Sequence, residues 1–485
     1  MITFCIALVT LIAGYFIYGK FVEKVFGIDT QRKTPAVANP DGVDFVPLPA
    51  WKIFMIQFLN IAGLGPIFGA IMGAKFGASA FIWIVVGTIF AGAVHDFLAG
   101  MISLRYNGES LPETIGRYLG HSAKQIMRGF TIILMVLVGV VFVAGPADLL
   151  AMLTPERLDS TFWIIVIFLY YILATLFPID KIIGRIYPVF AIALIFMAIG
   201  ILIMLFVTFP AIPEVTDGLE NKMSNPESNP LFPMLFISIA CGAISGFHAT
   251  QSPLMARCMT NERQGRAIFY GSMVTEGIVA LIWAAAATYF FSPEGQAFFG
   301  VTDPVKTNGN ASIIVNLISN GWLGVVGGAL AILGVVAAPI TSGDTAFRSA
   351  RLIIADFLHL GQRTIKSRLM ICIPMFVIAI FILLYNLSDP EGFGKIWRYF
   401  AWSNQTLAVF TLWAITIYLA QRSKPYWITL IPALFMMSVS ITYILFDPSG
   451  IGLPYALSTG IAIVASLLCA IWFFIKLPHI KSRQF

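Results

Sequence analysis

Two stretches decide the reading of this chain: Ile61-Ala62-Gly63-Leu64-Gly65-Pro66 and, about 180 residues later, Gly242-Ala243-Ile244-Ser245-Gly246-Phe247-His248, followed by Ser252-Pro253. Each lies inside an apolar run long enough to cross a bilayer, 51–75 and 232–264. Glycine in a helix interior costs about 1 kcal/mol and proline about 3, so both runs are expected to unwind near the middle of the lipid. Irregular backbone survives at that depth only where protein or a water-filled cavity satisfies it, so the breaks predict a cavity. Glycine also marks close helix packing, the plainer account of either stretch alone. Two breaks at matching positions favour interruption. Pro66 suits the start of a second half-helix, and Pro253 behind Ser252 as N-cap suits the start of another. Both half-helices would then aim a positive dipole end and unpaired N–H groups into the cavity, a geometry that suits an anion.

Outward from these stretches the chain is membrane-like throughout. Its 485 residues are 58% hydrophobic and 11% charged, with a mean hydropathy of +0.87. That excludes a soluble globular protein. Thirteen apolar runs can be counted, at about 2–20, 51–75, 78–103, 127–152, 161–178, 186–208, 232–264, 266–291, 322–355, 368–386, 395–420, 425–446 and 454–476. A shorter piece, 311–320, is expected to lie on a membrane face. The first run has no basic stretch before it and no small-residue cleavage site, so it reads as a retained anchor. The five cysteines are dispersed and give neither a disulfide framework nor a zinc site.

The net charge of +6 forms no basic stripe, which argues against nucleic-acid binding. It belongs to topology. Threading thirteen spans alternately leaves only Lys75, Arg157, Lys222, Lys306, Lys395 and Arg398 on one side, out of 30 basic residues. This bias places the N-terminus outside and the C-terminus in the cytoplasm.

Each break opens a group of five spans, 51–208 and 232–421, and five spans per group force the second to be inverted. This is the organisation of inverted-repeat secondary transporters, with the binding site at the breaks. Residues 1–25 and 425–476 are then additions to a ten-helix core. The predicted substrate site is Ala62, Gly63, Gly65, Pro66, Ser245, Gly246 and His248, joined by the polar triplet Ser403-Asn404-Gln405.

A further polar patch, Ala338-Pro339-Ile340-Thr341-Ser342-Gly343-Asp344, interrupts the run 322–355. Thr341 and Ser342 follow Ala338 by three and four residues, which puts both hydroxyls and the Ala338 carbonyl on one face. Opposite the freed carbonyls near Leu59 and Ala62, they would form a small sodium site. The alternative is that the hydroxyls bond back to their own helix beside a proline kink. Ionisable groups inside spans default to function, here His95, Asp96, Asp148, His248, Glu276 and Asp344. His248 can bind a proton or an anion near neutral pH, or be a satisfied packing histidine. His95, Asp96 and Asp344 are candidates for coupling or gating. Asp344 has Arg348 one turn away, so a structural ion pair is the competing account. A channel or a membrane-embedded enzyme is the rival class. Against the enzyme, the sequence carries no H-E-x-x-H, no G-x-S-x-G and no phosphate loop.

At these residues the sequence resembles the carbon starvation protein A (CstA) family. The likeness is carried by Ile61–Gly69, by Gly92-Ala93-Val94-His95-Asp96 with Ser103-Leu104-Arg105, by Gly242–Ala249, by the Thr341–Arg351 region and by Trp402-Ser403-Asn404-Gln405. It implies an all-α inner-membrane nutrient transporter with a LeuT-like 5+5 inverted-repeat bundle, of the amino-acid/polyamine/organocation superfamily, taking peptides or pyruvate as substrate. It also implies that Asn60–Gly65 and the Ala338–Thr341–Ser342 spacing match that fold's second sodium site. No cofactor is expected beyond Na+ as a coupling ion, the partners are the small-molecule substrate and the bilayer, and the oligomeric state stays open. The chain departs from family habit in its shortness, in Lys75, and in Gln251-Ser252-Pro253-Leu254 after the second break.

Overall fold

A computed structural model describes residues 1–176, 183–304, 307, 310–362, 364–388 and 392–482. Four basic residues of the topology argument, Lys181, Lys306, Arg363 and Arg483, lie outside them. The described residues contain helices and no strand. Nine of those helices are long and apolar enough to cross a membrane, or ten if the bent pair Ala50–Ile61 and Gly65–Phe76 counts as one span. The other three expected runs are shorter, broken or more polar: Ser160–Leu176, the pair Leu231–Ser238 and Gly246–Ala256, and Gly392–Gln421. The piece at 311–320 is helical and continues into Ala311–Leu358, with Gly324 breaking the axis at a φ of +68°.

Burial separates a core from a periphery. The helices Ser79–Arg105, His121–Leu153 and Glu262–Phe290 are 78–83% buried over their most apolar windows, against 28% for Ile2–Phe26 and 17% for Tyr455–Ser482. The first and last helices therefore face outward from the bundle. In lipid, apolar side chains gain little by leaving their surroundings, so close packing and hydrogen bonds have to hold the core. His121–Leu153 and Ile183–Thr208 both pack along Ala311–Leu358.

Both expected breaks are present. After Ile61 the backbone leaves the helix at Ala62 and resumes as a π-turn at Gly65–Gly69 with the axis bent by 54°. Pro66 sits in that first turn, where its missing N–H is harmless. The second break lies earlier than expected, over 239–245, and the half-helix starts at Gly246 with Ser245 in the cap position. Pro253 is thus inside the half-helix, not at its start, and Ser252 donates to the His248 carbonyl at 3.0 Å instead of capping.

The loops gather at two ends. At one, Leu48 N–H donates to the Cys258 carbonyl (3.1 Å), Arg105 binds Glu262 (2.9 Å) and the Gly27 carbonyl (2.6 Å), and Arg257 donates to the Gly108 carbonyl (2.9 Å). At the other, Glu214 accepts the N–H groups of Ile2 (2.9 Å) and Thr3 (2.6 Å).

Candidate functional site

The two broken spans cross each other at their breaks. A Cβ placed on Gly65 would lie 2.2 Å from the Cβ of Cys241, and one on Gly69 2.7 Å from the Ser238 carbonyl oxygen. Only glycine lets the backbones meet so closely. Residues 58–71 and 240–258 are all buried. A cavity of about 810 Å³ opens beside the crossing, lined by Phe68 and Met72 of the first span and Ile237 and Ser238 of the second. Lys75, Asp148, Arg398 and Asp447 put both signs of charge on its wall. Asp148 was singled out in the sequence as an ionisable group; Arg398 and Asp447 were not, because they stand at helix ends where charge is ordinary.

At the first break the exposed chemistry is oxygen. Gly63 N–H turns back to the Ile61 carbonyl (2.9 Å), which leaves the Leu59 carbonyl without its usual helical partner. Ser342 takes it instead: its hydroxyl lies 2.9 Å from the Leu59 oxygen and 3.0 Å from the Ala338 oxygen, while Thr341 donates to Ala338 at 2.7 Å. Thr345 adds a hydroxyl 3.3 Å from the Asn60 side-chain oxygen. The structure thus brings together Leu59, Ala338, Thr341 and Ser342, with Ala62 buried one turn away. The back-bonding expected as the alternative is also present, in the same hydroxyls.

At the second break the chemistry is ionisable. The imidazoles of His95 and His248 both approach Asp96, Nδ1 to Oδ1 at 2.7 Å and Nδ1 to Oδ2 at 2.8 Å. The far side of His248 faces Glu276, with Nε2 to Oε2 at 3.4 Å. All four side chains are fully buried. Among the described residues no group of three or more His, Cys, Asp or Glu has the geometry to hold a metal ion.

The start of the second half-helix is not open to a ligand in this conformation. Asn404 Oδ1 accepts from Phe247 N–H (2.6 Å) and from the Ser245 hydroxyl (3.0 Å), so a side chain 157 residues away caps it. Gln405 donates to the Phe236 carbonyl at 3.1 Å in the preceding half. The polar triplet therefore ties helices here, and Ser403 is nearly buried beside it. Asp344 accepts from Tyr170 (2.8 Å) and from Tyr187. Arg348 reaches Asp44 (3.3 Å) and the Ala174 carbonyl (2.6 Å). Asp44 was missed in the sequence: it sits in a short loop whose spacing gives no sign that two buried arginines will meet it.

The carbon starvation protein CstA family matches residues 1–156, 151–311 and 302–443, nearly the whole bundle. The chain belongs to that family. Among its CstA relatives, a peptide transporter CstA of Campylobacter jejuni is 28% identical over 88% of this chain and 77% of its own length. A pyruvate/proton symporter, BtsT, of Escherichia coli is 28% identical over 60% of this chain and 50% of its own. An uncharacterized membrane protein of Haemophilus influenzae is 44% identical over 60% of this chain and 91% of its own. The fold is similar to a manganese transporter of Eremococcus coleocola, with a TM-score of 0.54 and 15% identity over 91% of this chain and 99% of that one. The chain is a multi-pass membrane protein of a transporter family, and not an enzyme of the rival class.

Proposed function

We propose that this CstA-family chain is an ion-coupled secondary active transporter that imports small carboxylate-bearing nutrients, peptides or pyruvate, by alternating access. The observation that carries this reading is the crossing of two buried, interrupted spans beside a cavity of about 810 Å³. Unwound segments supply backbone groups to a ligand and hinges for the motion that exposes it to the other side. The relatives that are peptide transporters and a pyruvate/proton symporter support the substrate class.

In this reading the fold is a LeuT-like 5+5 inverted repeat, 51–208 and 232–421, with 1–25 and 425–476 as additions and about thirteen crossings of the inner membrane. The N-terminus is outside and the C-terminus cytoplasmic. Substrate binds around Ala62–Pro66, Ser245–His248 and the Ser403–Gln405 triplet, once Asn404 releases the half-helix it caps. Sodium has a seat of neutral oxygens at Leu59, Ala62, Ala338, Thr341 and Ser342, which suits a hard cation without formal charge. His95, Asp96 and Asp344 serve coupling or gating.

The test is uptake of labelled pyruvate and of a labelled dipeptide into proteoliposomes under imposed Na+ and pH gradients. Saturable accumulation above equilibrium is expected. Non-saturating flux that only follows the gradient, or chemical turnover of the label in detergent, would overturn the proposal.

A further inference from the structure

His248 is the point where the second half-helix touches two carboxylates on two other helices. It lies on Gly246–Ala256, Asp96 on Ala93–Arg105 and Glu276 on Ser272–Phe290. An ionised carboxylate only accepts hydrogen bonds, so Asp96, approached by two Nδ1 atoms, requires both rings to donate there. A neutral His248 then presents a bare lone pair at Nε2, with Glu276 Oε2 3.4 Å away. Lone pair against carboxylate is repulsive. Two buried carboxylates without a compensating proton are also far more costly than one. One additional proton cures both faults, either as Glu276–OH donating to Nε2 or as imidazolium donating to a Glu276 carboxylate. The two forms differ only by a proton shifted across that gap. Among the described residues neither Glu276 oxygen, nor the Nε2 of His248 or of His95, has a hydrogen-bond partner, so all four atoms are buried and unsatisfied as they stand.

Three other helices that hydrogen-bond or contact the half-helix do not supply that proton. The half-helix meets helix 392–421 through Asn404, helix 311–358 through Ser349 and helix 121–153 through Met135, none of which titrates. Cys241, joined to Ser245 at 3.6 Å, is the further titratable side chain beside the cluster.

We propose that Glu276 and His248 together form a proton-binding site, with Asp96 and His95 fixing the ring, and that this proton is a coupling ion of the transporter. The site spans the hinge: tilting the half-helix about 239–245 carries His248 away from the helix of Glu276. A proton shared between them therefore stabilises one tilt, and its release to the opposite face permits the other. The coupling role rests on the transport reading above; the presence of the proton does not.

Two experiments separate the claims. Infrared difference spectra of the full chain in lipid, H2O against D2O, should show at pH 7 either a protonated-carboxyl C=O band or paired carboxylate and imidazolium bands that Glu276→Gln removes; if the spectrum is unchanged by that substitution, the proton site is wrong. In proteoliposomes, Glu276→Gln should lose pH-gradient-driven uptake while keeping substrate exchange at equal pH, which also proves that it is folded. Retained pH-driven accumulation overturns the coupling. Should Glu276→Gln not fold, His248→Gln tests the same link, with loss of pH-driven uptake expected and an unchanged pH profile overturning it. A band present in wild type without any uptake would count against the transport reading and leave the proton site standing.

Discussion

The two interrupted spans use one device for opposite chemistry. The first break, 62–64, is surrounded by carbonyls and hydroxyls and has no ionisable side chain among its hydrogen-bonded partners. The second, 239–245, leads into a half-helix whose third residue joins a buried chain of two imidazoles and two carboxylates. A neutral oxygen cluster discriminates by size and hardness of a cation, while a carboxylate–imidazole pair responds to protons. Glycine permits the crossing; what lies across from each break decides the chemistry found there. The two also differ in how rigidly they are held, and that difference can be broken residue by residue.

The largest effect is expected at Gly246. A Cβ there would lie 2.4 Å from the Ala408 nitrogen and 2.4 Å from the Asn404 carbonyl oxygen, both backbone atoms of a core helix that cannot swing aside. Overpacking costs about 1–3 kcal/mol even where neighbours can adjust. Gly246→Ala should abolish folded, monodisperse protein on size exclusion. Gly63→Ala, the matching change at the first break, meets the ring of Phe142 at 2.5 Å, a side chain and not backbone. It should fold with reduced uptake. Equal tolerance of the two would remove the claimed asymmetry.

Next comes the clasp below the first span. Asp44 lies 3.3 Å from Arg348 and 3.6 Å from Arg351, and all three are buried. Burial by itself would push the Asp44 carboxyl up, but Arg351, Arg348 and Arg257 outweigh it and hold the group below the usual carboxylate range. A carboxyl held down in the folded state contributes stability above its unfolded pKa of about 3.9, and that contribution is lost as pH falls through the lower folded value. Asp44→Asn removes the carboxylate that compensates the buried charge of both arginines, at a cost of roughly 3–5 kcal/mol. Thermal unfolding should show this loss in full at pH 7 and a shrinking difference from wild type below about pH 4. A difference independent of pH would mean that the charge of Asp44 is not what matters.

A smaller loss is expected at the second break from Asn404→Leu, which leaves Phe247 N–H and the Ser245 hydroxyl uncapped. Buried donors without partners cost about 1–3 kcal/mol each. Asn404→Asp keeps an acceptor oxygen and should recover much of the stability but not the contact of the amide with Cys241. If leucine melts no earlier than asparagine, the half-helix does not depend on that cap.

How far the sequence could see follows from the distance over which each feature is determined. The breaks were legible because Gly63, Gly65, Pro66, Gly242 and Gly246 disfavour helix locally. The start of the second half-helix was misplaced because its cap, Asn404, is remote in sequence; reading Ser252-Pro253 as the start applied a sound local rule to a position that tertiary contact overrules. Asp96, His248 and Glu276 were each visible as ionisable groups in apolar runs, yet nothing local says that the three meet. Asp344 was visible too, but its tyrosine partners Tyr170 and Tyr187 look like ordinary membrane aromatics. The shared face of Ala338, Thr341 and Ser342 was legible because three and four residues along one helix fix a face, and the Leu59 carbonyl it meets follows from the adjacent break.

The smallest structural effect, and the sharpest functional one, belongs to that face. Thr341→Ala with Ser342→Ala removes two hydroxyls whose hydrogen bonds to Ala338 and Leu59 are 2.7–3.0 Å long. Each such bond is worth about 1 kcal/mol net, and the Ala338 carbonyl keeps its place in the helix, so the double variant should fold with only a modest loss of thermal stability. A packing role predicts nothing beyond this. A cation seat predicts that sodium stimulation of uptake disappears at constant pH while any pH-driven component persists, because the Glu276–His248 pair is untouched. Ser342→Thr, which restores a hydroxyl in reach of the Leu59 oxygen, should return part of the stimulation. Sodium stimulation unchanged in the double variant would reduce the first break to a hinge alone and leave the ionisable cluster at the second as the remaining seat for a coupling ion.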